Sequence, residues 1–143
     1  MTAYVLDASV AAKWFLPPAH ETLVTESLQI LEGYTRGLVQ LLVPDLFWPE
    51  FGNLLWKAAR LGRISEASAH DAIGALADRK IPTAPSLPLL DDAFTIAAAF
   101  RWTVYDSMYV ALAVASNNLL VTADERLANA LAAHFPVRWL GSL

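Results

Sequence analysis

Tyr4-Val5-Leu6-Asp7-Ala8-Ser9-Val10-Ala11-Ala12-Lys13 is the stretch on which the fold turns. An apolar run leads straight into an aspartate, and Ser9, a good helix N-cap, introduces the helix-compatible segment Val10 to Leu16. That is a strand, a tight turn and a helix, with an acid at the turn. Downstream, Leu41 to Val43 is a second buried strand. Pro44 and Pro49 then punctuate the entry to a helix in which Phe51, Leu54, Leu55 and Ala58 recur at helical spacing until Gly62. Leu119 to Thr122 is a further strand ending near Asp124, Arg126 to His134 is helical, and Val137 to Leu140 can add an edge strand.

The intervening segments are helical or extended. Pro17-Pro18 stops the first helix, and Glu21 to Arg36 restarts one, with Val24, Leu28 and Leu31 on one stripe and Gly37 closing it. Ser65 caps a helix reaching about Lys80; Pro82, Pro85 and Pro88 keep the next stretch extended; Asp91 to Phe100 and Ser107 to Ala115 are two more helices. Nearly all-apolar strands alternating with helices call for a parallel sheet covered on both faces. The expected fold is therefore a three-layer α/β/α sandwich, its central parallel sheet having four to five strands, formed by residues 1–143 as a single domain.

Composition narrows the chemistry. With no cysteine there is neither a disulfide framework nor a zinc-thiolate site, which suits a reducing cytoplasm. Nothing at the N-terminus reads as a secretory leader, and every apolar stretch is broken before the roughly 18 to 20 residues a bilayer span requires, so no membrane is expected. A hydrophobic fraction of 56% is high for a lone domain whose surface must stay wet, so some apolar surface is expected to face a partner. A net charge of −4 argues against a broad basic footprint, while leaving room for a few cations beside a phosphate.

In an open parallel sheet, chemistry collects beyond the carboxyl ends of the strands. Asp7 follows the first strand and Asp124 the strand Leu119 to Thr122; Glu50 stands in the first turn of its helix, and Asp106 at the N-cap of the helix beginning at Ser107. Four converging carboxylates repel one another, and protonation or a divalent cation relieves them. An all-oxygen donor set favours a hard ion, Mg²⁺ or Mn²⁺, which acidifies water and polarises a phosphodiester oxygen. Ser9 and Thr122 stand two residues from the outer acids, where they can orient a carboxylate, water or phosphate.

Four segments then carry a family resemblance over nearly the whole chain: Val5-Leu6-Asp7-Ala8-Ser9, Pro49-Glu50-Phe51-Gly52-Asn53, Tyr105-Asp106-Ser107-Met108-Tyr109 and Val121-Thr122-Ala123-Asp124-Glu125-Arg126-Leu127. In order and spacing the chain resembles the PIN domains, and in length the VapC-like toxins of toxin–antitoxin pairs. The resemblance implies a Mg²⁺-dependent endoribonuclease, usually dimeric and neutralised by a small antitoxin. It further implies that Asp7, Glu50, Asp106 and Asp124 are the acidic quartet, and that the first and fourth strands are neighbours.

Plainer readings stand beside these. Asp7, Asp106 and Asp124 are also good turn and cap residues, and Glu50 suits a helix's first turn for the dipole alone. Lys57, Arg60 and Arg63, at three-residue intervals, are read either as a track for RNA phosphates or as a solvated helix face, and Lys13 and Arg126 as neutralising or phosphate-touching cations near the outer acids. His20, His70 and His134 have no ligand spacing. Trp14, Phe15, Leu23, Leu28, Trp48 and Trp56 suggest an apolar groove beside the acids that an antitoxin segment would fill. The competing functions are a non-catalytic RNA-binding or protein-interaction module on the same fold, and a hydrolase using Asp7 as a covalent nucleophile, for which Asp7-Ala8-Ser9 lacks the usual second aspartate.

Overall fold

The computed structural model describes residues Met1–Leu143. Five strands, β1 (Thr2–Leu6), β2 (Val39–Pro44), β3 (Thr83–Ala84), β4 (Leu119–Thr122) and β5 (Val137–Trp139), form one sheet in the order β3-β2-β1-β4-β5. Every pair is parallel: Tyr4 stands opposite both Leu41 and Leu119, Leu6 opposite Val121, Val43 opposite Thr83, and Leu120 opposite Val137. Seven helices flank it: α1 (Ala8–Ala12), α2 (Val24–Thr35), α3 (Phe47–Arg60), α4 (Glu66–Asp78), α5 (Leu90–Phe100), α6 (Val104–Ser116) and α7 (Glu125–Leu131). The expected α/β sandwich is the fold observed. Its strand order makes the chain travel outward from β1 through β2 to β3 and then return to the other side of β1 at β4. A crevice therefore opens between the carboxyl ends of β1 and β4, the place where open parallel sheets bind ligands.

The core is built on this sheet. Val5, Leu6, Leu120 and Val121 are fully buried at the centre, and Phe47, Phe51 and Leu55 bring α3 onto them. Helix α6 lies across β1, β2 and β4 and is buried continuously from Ser107 to Ala113, so its near-uniform apolarity is a burial requirement and not an amphipathic face. Within it Ser107 Oγ is buried without a hydrogen-bond partner.

Several boundaries differ from those read in the sequence, each for a local reason. Asp7, and not Ser9, is the N-cap of α1: its Oδ1 accepts from Ser9 N at 3.2 Å, and the helix begins at Ala8. Thr103, and not Asp106, caps α6: its Oγ1 accepts from Asp106 N at 3.1 Å, which moves the helix start back to Val104. Helix α2 begins only at Val24, because Leu23 takes a left-handed conformation (φ 56) after the 3-10 turn Pro18–His20. Helix α3 starts at Phe47 and carries Pro49 within its first turn, where a missing N–H costs nothing. Asp124 caps α7 with hydrogen bonds from Arg126 N and Leu127 N. The prolines after Ile81 allow only the two-residue strand β3 before a 3-10 turn at Leu87–Leu89.

Leu120→Ala should cost about 2 to 5 kcal/mol of unfolding free energy, the range for truncating a fully buried leucine. Ser107→Ala should be neutral or stabilising, because it removes a buried hydroxyl that has no partner. Urea titrations of both variants check this; a Ser107→Ala loss approaching that of Leu120→Ala would mean that the hydroxyl is bonded in solution.

Candidate active site

The carboxyl edge of the sheet brings the four expected acids together from four separate places. Asp7 follows β1, Glu50 lies in the first turn of α3, Asp106 in the first turn of α6, and Asp124 follows β4. All four line one cavity of about 450 Å³, together with Ser9, Asn53, Tyr105 and the apolar Leu46, Pro49 and Leu54. A larger hollow of about 870 Å³ lies at the amino edge of the sheet, against Met1, Tyr34, Arg79 and Lys80. It contains a single acid, Asp78, and is far in the fold from the crevice at the switch point.

Each acid is held by a neutral donor. Thr122 Oγ1 donates to Asp7 Oδ2 at 2.7 Å and itself accepts from Asp124 N at 3.0 Å, tying the two outer acids through one hydroxyl. Ser9 Oγ accepts from Ala123 N at 3.2 Å, which joins the start of α1 to the loop after β4. Tyr109 OH donates to Glu50 Oε2 at 2.8 Å, and Trp102 Nε1 donates to Asp106 Oδ2 at 2.9 Å. Glu50 Oε1 and Asp124 Oδ2 receive no hydrogen bond from the protein. Thr122 thus holds a carboxylate through its hydroxyl, whereas Ser9 reaches Asp7 through its amide and turns its hydroxyl to Ala123 N; Tyr109, Trp102 and Asn53 were not foreseen. The signal for Tyr109 was its place three residues after Asp106, which puts both side chains on one helical face.

The electrostatics follow from burial and crowding. Burial pushes the Asp7 carboxyl up to about 6, against the pull of its Thr122 and Ser9 hydrogen bonds, and the charge of Asp106 adds to the rise. Burial likewise pushes Glu50 up to about 7, opposed by the Tyr109 hydroxyl and reinforced by Asp7 and Asp106. Asp106 is raised by burial and by Asp124, against its bonds from Thr103 and Trp102. Burial and the two acids Asp7 and Glu50 drive the Tyr109 phenol far upward, so it stays a donor.

No three histidine, aspartate or glutamate side chains are grouped so as to hold a metal ion between them. The acids line a cavity and do not form a closed cage: both oxygens of Asp7 and at least one of each other acid are turned to protein donors. Such a layout still fits a small hard cation in chemistry: the donors are all oxygen, one carboxylate oxygen each of Glu50 and Asp124 is uncommitted, and Mg²⁺ keeps several of its waters and takes only one or two carboxylates.

The structure does not bring all the expected cations to this cavity. Lys13 is buried and pairs with Glu21 at 3.3 Å, so it is spent within the fold. Lys57 and Arg60 lie in the last turn of α3, Arg63 follows it, and none of the three lines the acidic cavity; Arg60 instead stands 5.0 Å over the Trp56 ring. Arg126 does adjoin the site, in a side hollow it shares with Asp106 and Asp124. The expected groove also shifts. Trp14, Phe15, Leu23 and Trp48 pack against the core, with Trp14 Nε1 bonded to Ser27 O at 2.8 Å and Phe15 edge-on to Phe51 at 5.7 Å. The open apolar hollow, about 560 Å³, lies between α3 and α4 against Leu55, Trp56, Ala59 and Ile73.

The PIN domain model matches residues 4–131. Ribonuclease VapC3 of Pyrobaculum aerophilum is 32% identical over 126 residues, which is 87% of this chain and 91% of that protein. A solved structure from Pyrobaculum aerophilum matches with a TM-score of 0.71 at 25% identity, covering 99% of this chain and 85% of that one. The VapC20 toxin of Mycobacterium tuberculosis matches in fold, with a TM-score of 0.66 at 12% identity over 92% of this chain and 95% of that one. This chain belongs to the PIN domain family, among its VapC-like members.

Because Asp7 and Glu50 have folded values above their unfolded ones, the native metal-free protein holds more protons than the unfolded chain between about pH 4 and pH 7. Its stability should therefore fall as pH rises through that window and level off above it. In EDTA at pH 7.5, Asp7→Asn should be more stable than the parent by about 1 to 3 kcal/mol, the gain shrinking towards zero by about pH 4. Urea unfolding across pH measures both; parent stability that rises between pH 5 and pH 7.5 would contradict the assignment.

Proposed function

We propose that the protein is a metal-dependent endoribonuclease using Mg²⁺ or Mn²⁺, and that it is the toxin of a cytoplasmic toxin–antitoxin pair. The observation that carries the reading is the meeting of Asp7, Glu50, Asp106 and Asp124 in one cavity at the switch point of a PIN-family sheet. The likeness to ribonuclease VapC3 supports RNA as the substrate. A divalent ion in this cavity supplies Lewis acidity and an acidified water for phosphodiester hydrolysis.

The chain's own residues do the positioning. Thr122 fixes Asp7 and, through the Asp124 amide, the turn that presents Asp124. Tyr109 and Trp102 hold one oxygen of Glu50 and of Asp106 and so orient both carboxylates, which would hold a cation or its waters. Burial of Asp7 and half-burial of Glu50 and Asp106 lower the local dielectric and so would strengthen their grip on a cation. A covalent mechanism through Asp7 is disfavoured, since that side chain is only 7% exposed and both its oxygens accept hydrogen bonds. A non-catalytic RNA-binding module draws on one fact, that no three acids are grouped around a ready ion site. Partners fit the exposed apolar surface: a small antitoxin in the hollow between α3 and α4, and a second copy of the chain for a homodimer.

Purified protein freed of any co-purified partner should cleave an RNA panel with Mg²⁺ or Mn²⁺ and not with EDTA. Asp7→Asn, Glu50→Gln, Asp106→Asn and Asp124→Asn should each lose about 100-fold or more of that activity while keeping the parent's circular dichroism, the scale on which losing one charge-stabilising group costs an active site. RNA binding without cleavage under every metal condition would favour the non-catalytic module instead.

A further inference from the structure

The acidic cavity does not end at Asp106 and Asp124. The same two residues wall a second hollow of about 320 Å³, completed by Arg101, Trp102, Thr103 and Arg126. The two hollows differ in chemistry. On the Glu50 side the acids face an apolar wall of Leu46, Pro49 and Leu54, with Tyr105 standing beside it at 69% exposure. On the other side they face two guanidinium groups. Neither arginine forms an ion pair with the acids it adjoins: the chain's salt bridges are Lys13 with Glu21, Arg36 with Glu32 and His70 with Glu66. Asp106 and Asp124 accept instead from the Trp102 indole and from backbone amides. Arg101 also occupies a left-handed position (φ 55, ψ 43) at the end of α5, where glycine is the easier residue. Two unpaired cations in one hollow offer fork-shaped donors to an anion of phosphate geometry. An exposed aromatic ring against an apolar wall offers a stacking surface to a base.

We infer that a nucleic-acid strand crosses the wall made by Asp106 and Asp124, with one unpaired base stacked on Tyr105 and the phosphate on the far side held by Arg101 and Arg126. The inference rests on the nuclease reading and deepens it: Tyr105 selects for unpaired nucleotides, because a base inside a duplex has both faces already stacked. Tyr105 and Arg101 are thereby substrate-positioning residues, and Arg126 acts through its side chain at this hollow, away from the α3 cations.

The test is binding in EDTA, read by fluorescence anisotropy with a fluorescein-labelled single-stranded RNA 10-mer and the same strand annealed to its complement. Tyr105→Ala should weaken single-strand binding about 5- to 100-fold, and Tyr105→Phe should restore it, as stacking requires the ring and not the hydroxyl. Arg101→Ala combined with Arg126→Ala should lower the slope of log affinity against log salt by about 0.7 for each phosphate that is no longer neutralised. The duplex should bind more weakly and be indifferent to Tyr105→Ala. Parental affinity and salt slope in these variants would overturn the inference while leaving Mg²⁺-dependent cleavage intact. A parent protein that neither binds nor cleaves any RNA would overturn the nuclease reading and this inference together.

Discussion

The hydrogen bond from Thr122 Oγ1 to Asp7 Oδ2, across the ends of two adjacent parallel strands, is the contact on which the rest of the arrangement depends. It exists only because β1 and β4 are neighbours in register, Leu6 opposite Val121, although 115 residues separate the two partners in sequence. The chain returns to β1 only after completing β2, β3 and the hairpin of α5 and α6. A contact of such long range forms only when the sheet is assembled, so the outer half of the site is a readout of completed folding. The same hydroxyl accepts the Asp124 amide, and Asp7 N donates to Val121 O at 3.1 Å, so strand pairing and site geometry are one network.

That network places four carboxylates together and pairs none of them with a cation. Lys13 is turned to Glu21, Arg101 and Arg126 adjoin Asp106 and Asp124 without pairing with them, and each acid is restrained by a hydroxyl, phenol, indole or backbone amide. Neutral donors orient a carboxylate without cancelling its charge, so the repulsion is preserved and only a proton or an external cation relieves it. The upward displacement of Asp7, Glu50 and Asp106 comes first from burial, and the neighbouring acids add to it. Had the fold been selected for stability alone, apolar residues or an ion pair at these positions would remove the strain. The site is therefore a place where local stability has been given up for charge.

The sequence made the architecture legible because the central strands β1, β2 and β4 are mostly apolar and prolines, glycines or caps stand near the helix ends. It made the acids legible because they fall just past strands or just inside helices. Two things were hidden. Cap identity was misread at both Asp7 and Asp106, since Asp, Ser and Thr within two or three residues of one another are interchangeable as local signals, and only the backbone decides which oxygen takes the amide. The partners Tyr109 and Trp102 were hidden for a different reason: an aromatic in an apolar run reads as core, and Tyr109 is indeed fully buried, its hydroxyl alone reaching Glu50. The fate of Lys13 depended on where Glu21 would sit, which a proline-linked turn does not reveal.

The surplus of apolar residues resolves in a way that spacing alone did not anticipate. Much of it is absorbed by α6, buried continuously from Ser107 to Ala113, and by the aromatics of α1 and α3 that close the core around Phe51. Of what remains outside, Tyr105 borders the acidic cavity, and two groups lie away from the acids. Leu87 in the 3-10 turn and Leu90 and Phe94 on α5 stand 80%, 45% and 63% exposed at three- and four-residue intervals. Trp56 and Ile73 border the hollow between α3 and α4, which shares α3 with the catalytic cavity but lies behind it. Glu50, Asn53 and Leu54 face the acids, while Leu55, Trp56 and Ala59 face α4, so one helix forms the wall of both hollows. Any side chain wedged between α3 and α4 would bear on the helix that positions Glu50, and the physical coupling between apolar surface and acidic site runs through that single element.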